Sequence, residues 1–172
     1  MGNREAIPAV IVVADTGPLL HLHWVGASPW ALPPLPLHVV EAVWREVERH
    51  AKQVLQDSRL LRVATEEPLS PLVVGLGLDQ GEQAALSYAL SKRSREDVLV
   101  LCDERSARAA CVQLSLLVTG SVGLILEAAR AHRVPLAIAI SALEGLPGRG
   151  HLHVSPSLIQ QAVAALSTPS EP

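Results

Sequence analysis

The 172-residue sequence contains no phenylalanine, one tyrosine and three tryptophans. That scarcity excludes nucleic-acid recognition by rows of aromatic stacking platforms. It also leaves Leu, Val, Ile and Ala to build the core. Cysteine is nearly absent too, and Cys102 and Cys111 provide neither a disulfide framework nor a CxxC zinc signature. Lysine is confined to Lys52 and Lys92, against twelve arginines, and the formal net charge is −3. A bulk polyanion binder of the strongly basic kind is thereby excluded. The apolar run Ile7 to Val13 is too short to span a bilayer. Met1-Gly2-Asn3-Arg4-Glu5 has no signal-peptide layout, and Ala6 stands where a myristoylation motif needs Ser or Thr. The expected compartment is a reducing cytoplasm, with no membrane association.

What is present is organised around Val98-Leu99-Val100-Leu101-Cys102-Asp103-Glu104-Arg105-Ser106-Ala107-Arg108. Five apolar residues with polar flanks read as a strand buried on both faces, as in a parallel sheet. Such a strand delivers the residues after it to the carboxyl edge, where open α/β folds place ligands. Here it delivers two adjacent acids. A divalent cation can offset their repulsion through oxygen ligands; alternatively, Asp103 caps the next helix. Ala9 to Ala14 is a second buried-strand run, ending in Asp15-Thr16-Gly17-Pro18, where Asp15 or Thr16 can cap a helix accepting Pro18.

The alternation continues along the chain. Ser28 to Pro36 is a proline-rich loop, and the spacing predicts a helix from Val39 to about Leu55 and a short strand over Leu60 to Ala64. A Pro-, Gly- and Leu-rich connection leads to a helix opened by Asp79-Gln80-Gly81-Glu82. After the central strand come a helix to Leu114, a strand at Leu116 to Thr119, and Thr119-Gly120-Ser121 opening a helix to about His132. The remainder reads as a helix from Pro135 to Leu143, a strand at His151 to Val154, and a last helix capped by Ser155 or Ser157. The pattern predicts an α/β fold with a mainly parallel sheet. It forms one domain over residues 1–166, with a frayed tail over 167–172.

Four acids stand out: Asp15 after the first strand, Glu46 inside a helix, Glu82 at a helix start and Asp103 after the central strand. Each has a plain alternative. Asp15 can be a cap, Glu46 a solvated helix residue, and Glu82 the third residue of a capping box opened by Asp79. Two of them nonetheless follow apolar strands and must emerge at the same sheet edge. Carboxylates gathered there can hold one or two Mg²⁺ or Mn²⁺ ions for phosphodiester hydrolysis. Arg108, one turn after Glu104, can pair with it or contact a substrate phosphate.

The segments Val13–Leu19, Val40–Val47, Leu78–Ala85, Leu101–Arg108 and Val118–Gly123, in this order, resemble PIN-domain nucleases of the VapC-like toxin kind, in a prokaryotic subgroup with GE and TGS/TGT motifs. The resemblance runs from about Ile11 to Leu166. It implies a PIN-like three-layer sandwich with a central, mainly parallel sheet flanked by helices. It also implies a metal-dependent single-strand endoribonuclease, the toxin of a toxin–antitoxin pair. By position, it makes Asp15, Glu46, Glu82 and Asp103 the catalytic acids, with metal held by Asp15, Glu82, Asp103 and Glu104. Glu104 replaces the subgroup's usual second Asp. Thr16, Arg108, Thr119 and Ser121 are the candidate substrate-binding residues. The implied cofactor is Mg²⁺ (or Mn²⁺), and the implied partners are single-stranded RNA, a cognate antitoxin protein and a second copy of the chain in a homodimer.

Other readings fit less well. A receiver domain needs a strand-end lysine, and both lysines fall in helical segments. Asp15-Thr16-Gly17-Pro18 is not a dinucleotide-binding glycine pattern. His21 and His23 diverge on a helix, while His151 and His153 can share a strand face but lack a third ligand. A catalytically inactive PIN-like module that binds protein or nucleic acid remains the alternative.

Overall fold

A computed structural model describes residues 10–65 and 68–167. Five strands form one sheet: β1 (Val10–Ala14), β2 (Leu37–Val40), β3 (Leu60–Val63), β4 (Asp97–Leu101) and β5 (Leu117–Thr119). Their order is β3-β2-β1-β4-β5 and every pairing is parallel. Parallel neighbours require crossovers, and helices supply them. The helices are α1 (Thr16–Trp24), α2 (Ser28–Ala31), α3 (Glu41–Ala51), α4 (Pro71–Val74), α5 (Gln80–Arg93), α6 (Arg105–Gln113), α7 (Ser121–Arg130), α8 (Leu136–Gly145) and α9 (Pro156–Ser167). The fold is therefore α/β, a parallel sheet flanked by helices.

Strands β1 and β4 are apolar throughout their buried length: Val12, Val13, Ala14, Val100 and Leu101 are completely inaccessible. Helix α5 packs across β1, β2 and β4, and α7, α8 and α9 pack on one another. With no Phe available, aliphatic side chains fill the core. The largest fully buried ones include Leu19, Leu22, Leu37, Leu86, Leu101 and Ile125.

Three local expectations are corrected. Residues 39 and 40 do not begin a helix: they complete β2, which pairs with β1 (Val12↔Leu37) and β3 (Leu37↔Leu60), so α3 starts at Glu41. Val39 and Val40 satisfy a strand or a helical apolar pattern equally well, and the partner strands decide. The proline-rich loop and the connection before Leu78 each contain one helical turn, α2 and α4, with proline in the first turn. His151 to Val154 is not a strand. His151 adopts a left-handed φ of 55° and Leu152 donates its N–H to the Leu146 carbonyl, so this stretch finds no sheet edge. Ser155 rather than Ser157 caps α9, its Oγ accepting from Leu158 N. Of the tail over 167–172, Ser167 closes α9 and the rest lies outside the described residues.

The strand order places the site. Going out from β1, the chain runs one way to β2 and β3 and the other way to β4 and β5. The crevice beyond the carboxyl ends of β1 and β4 is therefore the topological switch point, where open α/β sheets bind ligands. Ala14 pairs with Leu101 in register. The residues that come after these two strands thus meet side by side.

Candidate metal centre

Asp15 is the first residue after β1 and the N-cap residue of α1, yet its side chain makes no cap hydrogen bond. It turns instead toward the strand end opposite. Its backbone N–H donates to the Leu101 carbonyl (3.0 Å), and the Cys102 thiol lies 3.7 Å from its Oδ2. Glu82 reaches the same point from α5. It is the third residue of a capping box in which Asp79 Oδ1 accepts from Glu82 N and Glu82 Oε2 accepts from Asp79 N. The box therefore forms, and it aims this glutamate rather than leaving it a mere cap. Asp15, Glu82 and Cys102, all buried, bring ligand atoms within 4.8 Å of one another.

The other acids surround this trio. Glu46, on α3, accepts a 2.7 Å hydrogen bond from the buried Thr16 hydroxyl, which makes Thr16 a tether for an acid across thirty residues. Asp103 does not cap α6; the N-cap position belongs to Glu104, which makes no side-chain cap bond. Asp103 Oδ1 accepts from Ser121 N (2.6 Å), while Oδ2 faces Ser121 Oγ (2.6 Å) and His21 Nδ1 (2.7 Å). It thus binds the positive end of α7, where an anion is stabilised. Asp15, Glu46, Glu82, Asp103 and Glu104 all line one pocket of about 600 Å³ together with Thr16 and His21.

Arg108 does not pair with Glu104 as the helical spacing allows. Its Nη1 donates to the Cys102 carbonyl at 3.0 Å, holding the β4 end. Thr119 and Arg108 line a neighbouring cavity that shares Asp103 with the acidic pocket, and the fully buried Ser121 serves Asp103. Two residues were not legible as site groups. His21 diverges from His23 as the helix requires, and it thereby faces Asp103 while His23 meets Gln53. Cys102 reads as core and sits among the carboxylates. The signal for His21 is positional: it comes one turn after Gly17 on α1, and a Cβ added at Gly17 would meet both His21 and Asp103 at 3.4 Å.

Crowding negative groups into a buried place disfavours their charged forms. Burial, seconded by the charges of Glu82, Asp79 and Glu46, lifts the Asp15 carboxyl to about 7, against a Thr16 backbone hydrogen bond that lowers it. Glu82 is raised above the ordinary carboxylate range, first by burial. The Cys102 thiol is pushed far up by burial and then by Asp15, the same two influences that oppose any further negative charge at this point. Two carboxylates and a thiol, with further carboxylates around them, are a donor set that a divalent cation fits, Asp15 and Glu82 offering the hard oxygens.

Gly120 is required by space. A Cβ there would stand 2.5 Å from Asp103 Oδ1 and 3.0 Å from both Arg108 Nη1 and the Cys102 carbonyl. Gly120→Ala is expected to displace Asp103 and to lower turnover at this site about a hundredfold, as ångström-scale misplacement does. Steady-state rates beside a circular dichroism spectrum check it.

Residues 11–168 match the model of a family described as a PIN domain. No curated protein matches the chain.

Proposed function

The chain belongs to the PIN-domain family, and from that premise we propose that it is a metal-dependent single-strand endoribonuclease, the toxin of a toxin–antitoxin pair. PIN domains are generally metal-dependent nucleases, and the acidic pocket at the switch point is where such chemistry belongs. The carrying observation is the convergence of buried Asp15 and Glu82 from two separate elements. A Mg²⁺ or Mn²⁺ ion held by them, with Asp103 and Glu104 as further ligands, would supply activation of water and charge stabilisation at the scissile phosphate.

The chain's own groups set the geometry. Thr16 holds Glu46 at the rim, and Asp103 is fixed by Ser121 and His21. Glu46, free of any capping duty, can accept a proton from water. Arg108, anchored on the Cys102 carbonyl, stands beside the pocket for substrate phosphate. In this reading the chain works as a homodimer in a prokaryotic cytoplasm and is restrained by a cognate antitoxin protein; among the described residues no helix is long and apolar enough to cross a membrane.

The test is cleavage of labelled single-stranded RNA, double-stranded RNA and single-stranded DNA by the purified protein with Mn²⁺, against Asp103→Asn. Metal-dependent internal cuts in single-stranded RNA, absent from the variant, are expected; no cleavage above the variant leaves the inactive binding module as the better reading. Metal should also stabilise the fold by linkage. At a hundred times its dissociation constant, Mn²⁺ is expected to add about 2.7 kcal/mol, read as a rise of several degrees in melting temperature, and EDTA should reverse it.

A further inference from the structure

A second cavity of about 370 Å³ lies between α6, α7 and the stretch that enters α9, sharing Asp103, Arg105 and His153 with the acidic pocket. Its walls are of two kinds. Leu126, Leu152, Val154 and Leu158 are apolar, and Leu158 remains 45% exposed. Arg105, Arg108 and His153 line it with cationic or polar planar groups. Neither arginine enters an ion pair among the described residues.

The geometry points to a subsite for one nucleoside of the substrate, the one flanking the phosphate presented to the acids, its base held between the His153 imidazole and the Arg105 guanidinium. This rests on the reading of the chain as a nuclease. Three observations carry it. First, a phosphodiester approaching the six carboxylates of the acidic pocket is repelled, and Arg105 at the shared rim, with Arg108 in the wall of the second cavity, offsets that repulsion; guanidinium is the group best matched to phosphate. Second, an unstacked base needs a planar partner, and imidazole or guanidinium serves where Phe, Tyr and Trp are missing; none of those three lines this cavity. Third, the volume is at the small end of ligand pockets and holds one nucleoside rather than two. The consequence is a nucleotide preference confined to a single position beside the cut, the remaining positions being read through the backbone alone.

The experiment is cleavage of a randomised single-stranded RNA pool with Mn²⁺, with the cut ends sequenced, for the wild type, Arg105→Ala, His153→Ala and Leu126→Trp, the last of which fills the cavity. Arg105 and His153 are exposed, so their replacement leaves the fold intact, and an unchanged Mn²⁺-induced melting shift verifies it. A preference of about tenfold or more at one flanking position is expected for the wild type, collapsing in the variants as KM rises about tenfold, the loss typical of one stacked base. Uniform cutting by the wild type, or a preference that survives all three substitutions, overturns the subsite. If the wild type cuts nothing, the nuclease reading fails by itself and the subsite is judged by binding. Labelled homotrinucleotides titrated onto the Asp15→Asn protein should lose about tenfold in affinity with His153→Ala added. Equal affinity, or none, overturns it.

Discussion

Asp15→Asn is expected to abolish cleavage while making the metal-free protein more stable than the wild type at pH 8. The two effects share one cause. Asp15 is buried among other acids, and its carboxyl is lifted from the ordinary 3.8 to about 7. Between those values the unfolded chain releases the proton and the folded chain keeps it, so the metal-free fold loses stability as pH rises from about 4 to about 7 and levels off above. A shift of that size corresponds to about 4 kcal/mol at most. Asparagine has nearly the same shape and no charge to bury, so it escapes most of that loss. It also removes the carboxylate proposed to hold the metal, and forfeiting several kcal/mol of charge stabilisation corresponds to about a thousandfold in rate. Calorimetry in EDTA at pH 5 and pH 8 checks the first effect: the wild-type melting temperature should fall between them by more than that of the variant. The same scans with Mn²⁺ check the second, since the variant should gain little. A variant less stable than the wild type in EDTA at pH 8 would show that burial of this charge is not the governing term.

Asp103→Ala is expected to go the other way in stability, although it removes the same charge from the same pocket. Asp103 has its hydrogen bonds made: the Ser121 N–H, the Ser121 hydroxyl and His21 Nδ1 all lie within 2.7 Å of its oxygens. Alanine leaves the first N–H of α7 and the buried Ser121 hydroxyl without an acceptor, and orphaned buried groups each cost about 1–3 kcal/mol. A total loss of about 3 kcal/mol, or roughly 10 °C in a domain of this size, should accompany loss of cleavage. Asp103→Asn keeps the shape and one acceptor oxygen and should fall between. The comparison of Asp15 with Asp103 in one calorimetric series separates an acid held by the protein from an acid the protein leaves poised for a cation.

The amino-acid order made some of this legible and hid the rest for identifiable reasons. Strands β1 and β4 are visible because a strand buried on both faces must be a continuous apolar run, and Ala9 to Ala14 and Val98 to Cys102 are such runs. The capping box at Asp79 and Glu82 is visible because both of its partners lie within four residues. β2 is hidden because Val39 and Val40 adjoin a helix whose apolar spacing they happen to continue; only pairing with β1 and β3 makes them a strand. The reverse error at His151 to Val154 has the matching cause, since alternation predicts a strand that has no edge to join. Arg108 shows the limit of helical spacing: it is correctly one turn from Glu104, but a carbonyl six residues back is the partner it takes.

Residue order along the chain dictated the alternation of apolar strands with helices, the acids that end two of those strands, and the scarcity of aromatic groups. These are local properties, set by side-chain chemistry and spacing along a few residues. What the acids are to one another is settled in three dimensions. The in-register pairing of Ala14 with Leu101 sets Asp15 against Cys102, α5 brings Glu82 to them, and α7 together with His21 takes Asp103 into a separate set of hydrogen bonds. Those contacts span from 18 to 87 residues of chain, and no window of sequence contains both partners. The physical reason is that charge crowding and burial depend on distance in space, so the poised state of Asp15 comes into being only when the sheet closes around it.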